Sequence, residues 1–177
     1  MIEKLVILLA KLAEKMGRRV EISDQITGEL YLVRYMLFKN PLFCVYIHRF
    51  MKSDPDVHHN HPWGFFTYIV TKGYTEERTI FDDNDGEFDI VLNKRLPGSI
   101  AYRKASDMHR VILDRQYQRN EEHLAPLTVC LIGPRKKHSW GFVEPKVYNG
   151  KVSSLVWTDW RSYLNISKDD PRYKGSE

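Results

Sequence analysis

The sequence lacks any apolar run of about 20 residues, the length that a helix needs to cross a bilayer, and it contains only two cysteines in 177 residues. Charged residues follow the apolar stretch 5–10 from Lys11 onward, and no small-residue cleavage site follows it, so we expect neither a cleaved leader nor a membrane partner. Cys44 and Cys130 each lie in an apolar, strand-like run, which favours buried free thiols in a reducing compartment. We therefore expect a cytoplasmic protein without disulfide bonds.

The motifs of several large enzyme classes are also missing. The sequence has no Gly-x-Ser-x-Gly, no Gly-x-Gly-x-x-Gly, no phosphate loop and no Cys-x-x-Cys. The formal net charge is only +4, and the basic residues are spread along the chain. The basic run 135–137 has no accompanying nucleic-acid-binding signature, so nucleic acid is not favoured as a partner.

Short segments rich in β-branched and aromatic residues dominate the chain from residue 30 onward, and turn residues such as Gly73 and Pro97-Gly98 separate them. The segments predicted as strands are 30–38, 41–50, 65–71, 74–81, 87–92, 99–103, 109–113, 127–132 and 152–157. No second long helical pattern interrupts them, which favours an all-β sandwich or barrel over a parallel α/β sheet.

An amphipathic helix is predicted at the N-terminus, over residues 2–16. Its large apolar side chains recur at intervals of three and four and form one stripe: Leu5, Leu8, Leu9, Leu12 and Met16. Gly17 then supplies a helix stop. We expect the stripe to pack against the sheet; a membrane surface or a partner protein is the alternative.

The predicted domain organisation has three parts. Residues 1–20 form a helix that packs on the barrel, and residues 21–164 form a single β-barrel domain. Residues 165–177 are charged and lack an apolar anchor after Ile166, so we expect a flexible C-terminal tail.

The segment His58-His59-Asn60-His61 is the densest group of metal-binding side chains in the sequence. Side chains alternate between the two faces of an extended segment, so His59 and His61 share one face. A third imidazole, His109, begins a later apolar run, and an antiparallel barrel can bring it beside the first two. We expect these three histidines to hold one divalent metal ion; ordinary surface histidines are the alternative.

At this point the chain resembles the cupin superfamily, whose first motif is His-x-His followed by a glycine turn and whose second motif is Pro-Gly followed by a histidine. Here His59-Asn60-His61 precedes Gly73, and Pro97-Gly98 precedes His109, so the resemblance covers about residues 30 to 145. It implies a double-stranded β-helix, the jelly-roll barrel. The position of the glutamate ligand of many cupins falls at Phe66, which favours a three-histidine site. Glu77 is a further candidate ligand, with an exposed strand glutamate as the alternative.

Within the cupins, the chain is most similar to the cysteine-dioxygenase-like thiol oxygenases, which bind iron(II) on three histidines. In those enzymes an arginine that precedes the first histidine binds the substrate carboxylate, and a His-Arg-Val tripeptide carries the last ligand. This chain has Arg34 in Tyr31-Leu32-Val33-Arg34-Tyr35, and it has His109-Arg110-Val111. The resemblance therefore implies that Arg34 binds substrate; a structural or exposed arginine is the alternative.

Several other residues are candidates for the cavity wall. Four aromatic residues could line it and exclude water from an ion, although core packing is the alternative: Trp63, Phe65, Trp140 and Phe142. Tyr102 and Arg103 are neighbours on one predicted strand and point in opposite directions, so at most one of them faces the cavity.

Three functions remain open from the sequence. The first is an iron(II)-dependent oxygenase of the thiol-dioxygenase type that acts on a small carboxylated molecule. The second is a sugar or sugar-nucleotide isomerase or epimerase, and the third is a non-catalytic ligand-binding cupin. No catalytic acid or base is assigned. Three imidazoles also accept zinc, nickel, manganese or copper, and a homodimer is compatible with the sequence.

Overall fold

The computed structural model describes residues 1–24, 27–81, 88–117, 121–136, 139–148 and 151–166. Two α-helices and twelve strands lie within them: α1 (Ile2–Lys15), β1 (Arg19–Ser23), β2 (Leu30–Lys39), β3 (Cys44–Phe50), β4 (His58–His59), β5 (Phe65–Thr71), β6 (Tyr74–Phe81), β7 (Phe88–Arg95), β8 (Ile100–Arg103), β9 (Met108–Ile112), β10 (Leu127–Ile132), β11 (Gly141–Tyr148), β12 (Lys151–Asp159) and α2 (Trp160–Tyr163). From residue 167 onward the predicted tail lies outside the described residues, and the division into three parts stays a prediction.

The described strands form two antiparallel sheets that face each other. Sheet A has the order β1-β2-β3-β10-β5-β8, and sheet B has the order β12-β11-β4-β9-β6-β7. Strands distant in sequence are neighbours in both sheets, as when β10 lies between β3 and β5. This arrangement is an all-β jelly-roll barrel with an N-terminal α-helix, which confirms the predicted fold class.

The predicted strands are all present, with ends that shift by a few residues, but some elements were missed. Among these, β1 is short and carries only Val20 and Ile22 as apolar residues, while β4 consists of just His58 and His59. Neither segment contains an apolar run, so their strand conformation depends on pairing with neighbours. β4 pairs with β11 on one side and with β9 on the other.

The main interior lies between the two sheets. One cluster of buried side chains joins them: Leu32, Phe50, Ile69, Tyr74, Val111 and Leu113. The inward faces of β2, β3 and β5 thereby pack against those of β6 and β9. Both cysteines are free thiols; Cys130 is buried and Cys44 is partly buried.

A second core lies on the outer face of sheet A, where α1 packs. The helix contributes Val6, Ala10 and Ala13, which contact buried sheet residues such as Val33 and Ile47. The prediction that the large apolar stripe packs on the sheet is therefore wrong for most of its members. Leu9 is partly buried in this core, whereas Leu5, Leu8, Leu12 and Met16 are each more than half exposed.

The small side chains of the helix explain which of its faces packs. Ala10 and Ala13 let the helix backbone approach the sheet closely, and the bulky leucines lie on a neighbouring face. Spacing alone could not separate the two faces because both are apolar. Among the described residues, no helix combines the length and the apolar character that crossing a bilayer requires.

Candidate metal centre

Three histidines from two distant segments converge between the sheets. One ligand atom from each of His59, His61 and His109 lies within 4.8 Å of the others. The register of β4 and β9 places His59 directly opposite His109, and the Nε2 atoms of His61 and His109 are 3.0 Å apart. The structure therefore brings together the residues that the sequence analysis selected as metal ligands.

The histidine cluster suits a metal cation because burial keeps two of its rings, those of His59 and His61, neutral. Burial lowers the pKa of His59 to about 4 and lowers the pKa of His61 well below its usual value. Among the described residues, none bonds the buried Nδ1 of His59. Leaving a buried ring nitrogen unpaired is costly, and a neutral imidazole offers one lone pair to a divalent ion. The donor set, three imidazoles, is one that binds iron, zinc, copper or nickel.

A buried glutamate, Glu76, fixes the orientation of His109. Its Oε1 accepts a hydrogen bond of 2.9 Å from His109 Nδ1, so Nε2 of that ring is left free to face the other histidines. Arg103 binds the same carboxylate through Nε at 2.6 Å and also through Nη2, and Arg95 binds it at 2.8 Å. Burial opposes ionisation of Glu76, but these cationic and N–H partners hold its pKa well below the usual value.

Glu77, the further candidate ligand, is not part of the cluster. It points to the outer face of sheet B, where it accepts hydrogen bonds of 2.8 Å from His58 Nε2 and from Arg110 Nε. Arg110 also pairs with Asp56. Because side chains alternate along β6, Glu76 faces inward and Glu77 faces outward. The carboxylate that reaches the cluster is therefore that of Glu76, and not that of the candidate Glu77.

An aromatic side chain of β5, Phe65, lies against the histidine cluster, whereas its neighbour Phe66 does not. The ring centroid of Phe65 is 5.0 Å from that of His61 and 5.8 Å from that of His109. Phe66 is 49% exposed on the opposite face of β5. Trp63 lies near the cluster, with its ring centroid 6.5 Å from that of His61, and it packs with Tyr46 and Cys130.

Arg34 extends from β2 into the interior and has an unusual partner. Its Nε donates a hydrogen bond of 3.0 Å to His48 Nε2, and its guanidinium carbon lies 4.8 Å from the centre of the Tyr46 ring. Burial lowers the pKa of Arg34. Among the described residues, no carboxylate forms an ion pair with this guanidinium. A largely buried cation without an anionic partner is costly, which points to an anion that the interior receives.

His48 was not considered in the sequence analysis, although it lies beside this cation. Because Arg34 donates to Nε2, the proton of the neutral ring is on Nδ1, which lies 3.4 Å from Cys130 Sγ. Burial, followed by the charge of Arg34, lowers the pKa of His48 well below its usual value. Arg34 contacts Tyr46 and His48 contacts Cys130, and these two residues belong to the core cluster that Trp63 and Phe65 join. Since the rings of Trp63 and Phe65 lie beside His61, Arg34 and His48 are on the histidines' side of the barrel interior.

Tyr102 and Arg103 point in opposite directions, as alternation predicts, and neither of them contacts the three histidines. Arg103 is 5% exposed and binds Glu76, so it acts on the centre only through that carboxylate. Tyr102 lies on the outer face of sheet A, where it and Phe66 line a surface cleft of about 480 Å³. Of the four residues considered for substrate binding, Arg34 and Trp63 lie near the histidines.

The two residues that sequence reasoning missed, Glu76 and His48, share one property. The location of each side chain, inside or outside the barrel, depends on which face of its strand turns inward. The alternation of apolar residues along the strand partly indicates which face that is. Tyr74 is two residues before Glu76, and Phe50 is two residues after His48; both aromatic residues are buried in the interior. An inward assignment for Glu76 and His48 could have been made from these neighbours.

No family model matches the sequence, and no curated protein matches it. Solved structures do resemble the chain. KdgF from a Halomonas species aligns over 60% of this chain and 81% of its own, with 18% identity and a TM-score of 0.39. An RmlC-like cupin from Shewanella frigidimarina aligns over 68% of this chain and 89% of its own, with 18% identity and a TM-score of 0.40. The DMSP lyase DddQ from Ruegeria pomeroyi aligns over 67% of this chain and 54% of its own, with 11% identity and a TM-score of 0.44. The fold of this chain, a jelly-roll barrel, is established by the order of its own two sheets.

Proposed function

We propose that this chain is a cupin metalloenzyme that holds one divalent ion on His59, His61 and His109 and acts on a small anionic molecule. The observation that carries this proposal is the convergence of three imidazoles within 4.8 Å, one of which has a buried nitrogen that no described residue bonds. Three protein ligands leave coordination positions open for substrate, which is the arrangement of catalytic rather than structural sites.

Arg34 supports an anionic substrate. A guanidinium binds a carboxylate through two parallel hydrogen bonds, and burial strengthens this interaction. Only the Nε of Arg34 is used by a described residue, His48, so the two Nη groups remain available for an incoming anion. Their interaction with a carboxylate would orient the other end of the substrate toward the histidines.

The reaction that we favour is iron(II)-dependent oxygenation of a thiol, in which R–SH and O₂ give R–SO₂H. It is supported by the arginine in the interior and by the His109-Arg110-Val111 segment, both of which resemble the thiol oxygenases. Bound iron would supply sites for oxygen and for the substrate sulfur. Phe65 and Trp63 keep bulk water away from His61, while Glu76 holds the His109 ring in one orientation.

The first experiment is elemental analysis of protein purified without chelator and without nickel affinity resin. We expect about one divalent ion per chain in the wild type and little in His59→Ala. His123→Ala is the matched control, since His123 is exposed and outside the cluster. A wild-type protein that retains no divalent ion, even after incubation with iron(II), zinc or nickel, rejects the metal centre.

The second experiment measures oxygen uptake by iron(II)-loaded protein with a panel of thiols that do or do not carry a carboxylate. We expect uptake with carboxylated thiols, and a rise in KM of tenfold or more for Arg34→Met. Absence of uptake with every thiol rejects the thiol-oxygenase reaction while leaving the metal centre intact. Turnover of a sugar phosphate by the metal-free protein would instead favour the isomerase alternative.

A further inference from the structure

The exposed apolar stripe on α1 has no role in the fold described above. Four of its side chains lie on one face of the helix and are 52 to 57% exposed: Leu5, Leu8, Leu12 and Met16. Ile2, near the start of the helix, is 53% exposed as well. A surface helix normally places its apolar side chains against the core and its polar ones in water. This helix is apolar on its packed face and on part of its free face, so a second apolar environment is expected to cover the latter.

The charges that border the stripe indicate what covers it. At 3.6 residues per turn, Lys4, Lys11 and Lys15 lie in a row along one side of the stripe. All three are exposed, and none forms an ion pair with a described residue. The helix's own acidic residues lie beyond this row, toward the packed face, and one of them, Glu14, pairs with Arg19 at 3.3 Å. An apolar stripe beside lysines that form no ion pair with a described residue is complementary to an anionic surface with an apolar interior.

The size of the stripe favours a lipid surface over a second copy of the chain. A side chain of this kind covers roughly 100 Å² when fully buried, so five half-exposed ones offer on the order of 300 Å². A stable protein dimer buries about 800 Å² on each partner. A two-fold antiparallel pairing of the stripes would also place both lysine rows on the same side, where they repel each other.

We propose that α1 docks on the headgroup region of an anionic lipid bilayer, with Leu5, Leu8, Leu12 and Met16 inserted and the three lysines bound to lipid phosphates or carboxylates. Helices with this pattern lie in the plane of the interface and insert only by about 5–10 Å. The long aliphatic stems of the lysines allow their ammonium groups to reach the headgroups while the leucines are inserted. The remaining face of α1 stays packed on sheet A, so docking requires no unfolding. This surface association differs from a spanning helix, and it revises the expectation of no membrane partner.

Co-sedimentation of the full chain with vesicles tests the proposal. Vesicles of phosphatidylcholine alone are compared with vesicles of phosphatidylcholine and phosphatidylserine, at low and at high salt. We expect binding to the anionic vesicles to be about a hundredfold tighter, since each lysine near such a surface contributes about fivefold. High salt is expected to weaken this binding.

Two variants separate the contribution of the leucines to binding from that of the lysines, and a third variant is the control. Leu8→Gln/Leu12→Gln is expected to weaken binding at least tenfold, and Lys4→Gln/Lys11→Gln/Lys15→Gln is expected to remove the preference for anionic vesicles. Leu92→Gln/Leu96→Gln, which changes two leucines with 63% and 54% exposure away from α1, is expected to bind like the wild type. Circular dichroism checks that each variant is folded.

Three results would overturn the proposal. The first is no binding of the wild type to anionic vesicles at low salt, and the second is unchanged binding of the Leu8→Gln/Leu12→Gln variant. The third is a dimer in analytical ultracentrifugation that dissociates in that variant, because a second copy would then cover the stripe. None of these outcomes depends on the metal content of the protein.

Discussion

Glu76 and Glu77 are adjacent in sequence and have opposite surroundings. Glu76 binds Arg95, Arg103 and His109 in the interior, whereas Glu77 binds His58 and Arg110 on the outer face of sheet B. The two residues therefore form a natural pair for separating effects on the metal centre from effects of charge alone. The interior carboxylate carries the larger energetic consequence because its partners cannot turn to water.

We predict that Glu76→Gln lowers metal affinity by about 10- to 100-fold, because His109 loses the carboxylate that orients its ring. The same change leaves the buried cation of Arg103 without its anion, so the free energy of unfolding should fall by roughly 3–5 kcal/mol. Competition with a chromogenic chelator and urea denaturation measure the two effects. Glu77→Gln is the control, and equal metal affinities in the two variants would contradict the assignment.

Arg34 and Arg103 form a second informative pair, because both are arginines of sheet A that point inward. Arg34→Met removes a costly cation without an anionic partner but also the hydrogen bond to the buried His48. Because these two effects oppose each other, we expect the free energy of unfolding to change by no more than about 1 kcal/mol. Arg103→Met leaves Glu76 with one fewer cation in the interior and should cost roughly 3–5 kcal/mol. Urea denaturation compares them; a large loss of stability in Arg34→Met would indicate that Arg34 is structural.

At the scale of elements, the two-residue strand β4 depends on its neighbours for its position. The side chain of Asn60, just after β4, is buried and fixes this segment. Its Oδ1 accepts hydrogen bonds from Gly141 N–H at 2.8 Å and from Trp157 Nε1 at 3.3 Å, and its Nδ2 donates to the Ser139 carbonyl at 3.1 Å. The residue between the two histidines thus ties their segment to β11 and β12.

We predict that Asn60→Ala lowers the free energy of unfolding by about 2–4 kcal/mol, because it leaves buried polar groups without partners. It should also weaken metal binding, since His59 and His61 lose the anchor between them. Asn40→Ala is the matched control, because Asn40 bonds backbone N–H groups in an exposed turn. Denaturation and metal titration are the measurements, and an Asn60→Ala protein that binds metal like the wild type would contradict this role.

For the whole molecule, buried neutral histidines make stability depend on pH. The folded protein keeps His59, with a pKa of about 4, in the neutral form, and burial also lowers the pKa of His48 and of His61. In the unfolded chain each of these histidines takes up a proton near the ordinary histidine pKa of 6.5. The free energy of unfolding therefore falls as the pH drops below about 6.5. Glu76 adds to this loss only below its ordinary pKa of 4.5.

We predict that lowering the pH from about 7 to about 5 costs the metal-free protein about 2 kcal/mol for each of these buried histidines. His48→Gln retains an acceptor for Arg34 but does not titrate, so it should recover the contribution of one ring, about 2 kcal/mol. Urea denaturation at both pH values is the measurement. A wild-type protein that is equally stable at both would show that these rings are not held neutral.

The sequence by itself determined what is local. Alternation along an extended segment placed His59 and His61 on one face, strand and turn residues gave the all-β class, and Gly17 marked the end of α1. Only the tertiary structure decided the pairing of β6 with β9, which selects Glu76 over Glu77, and the contact of Arg34 with His48. It also decided that the alanine face of α1, and not its leucine stripe, packs on the sheet. These outcomes depend on strand register and on the shape of a surface built from distant segments, and neither is set by the spacing of residues along one element.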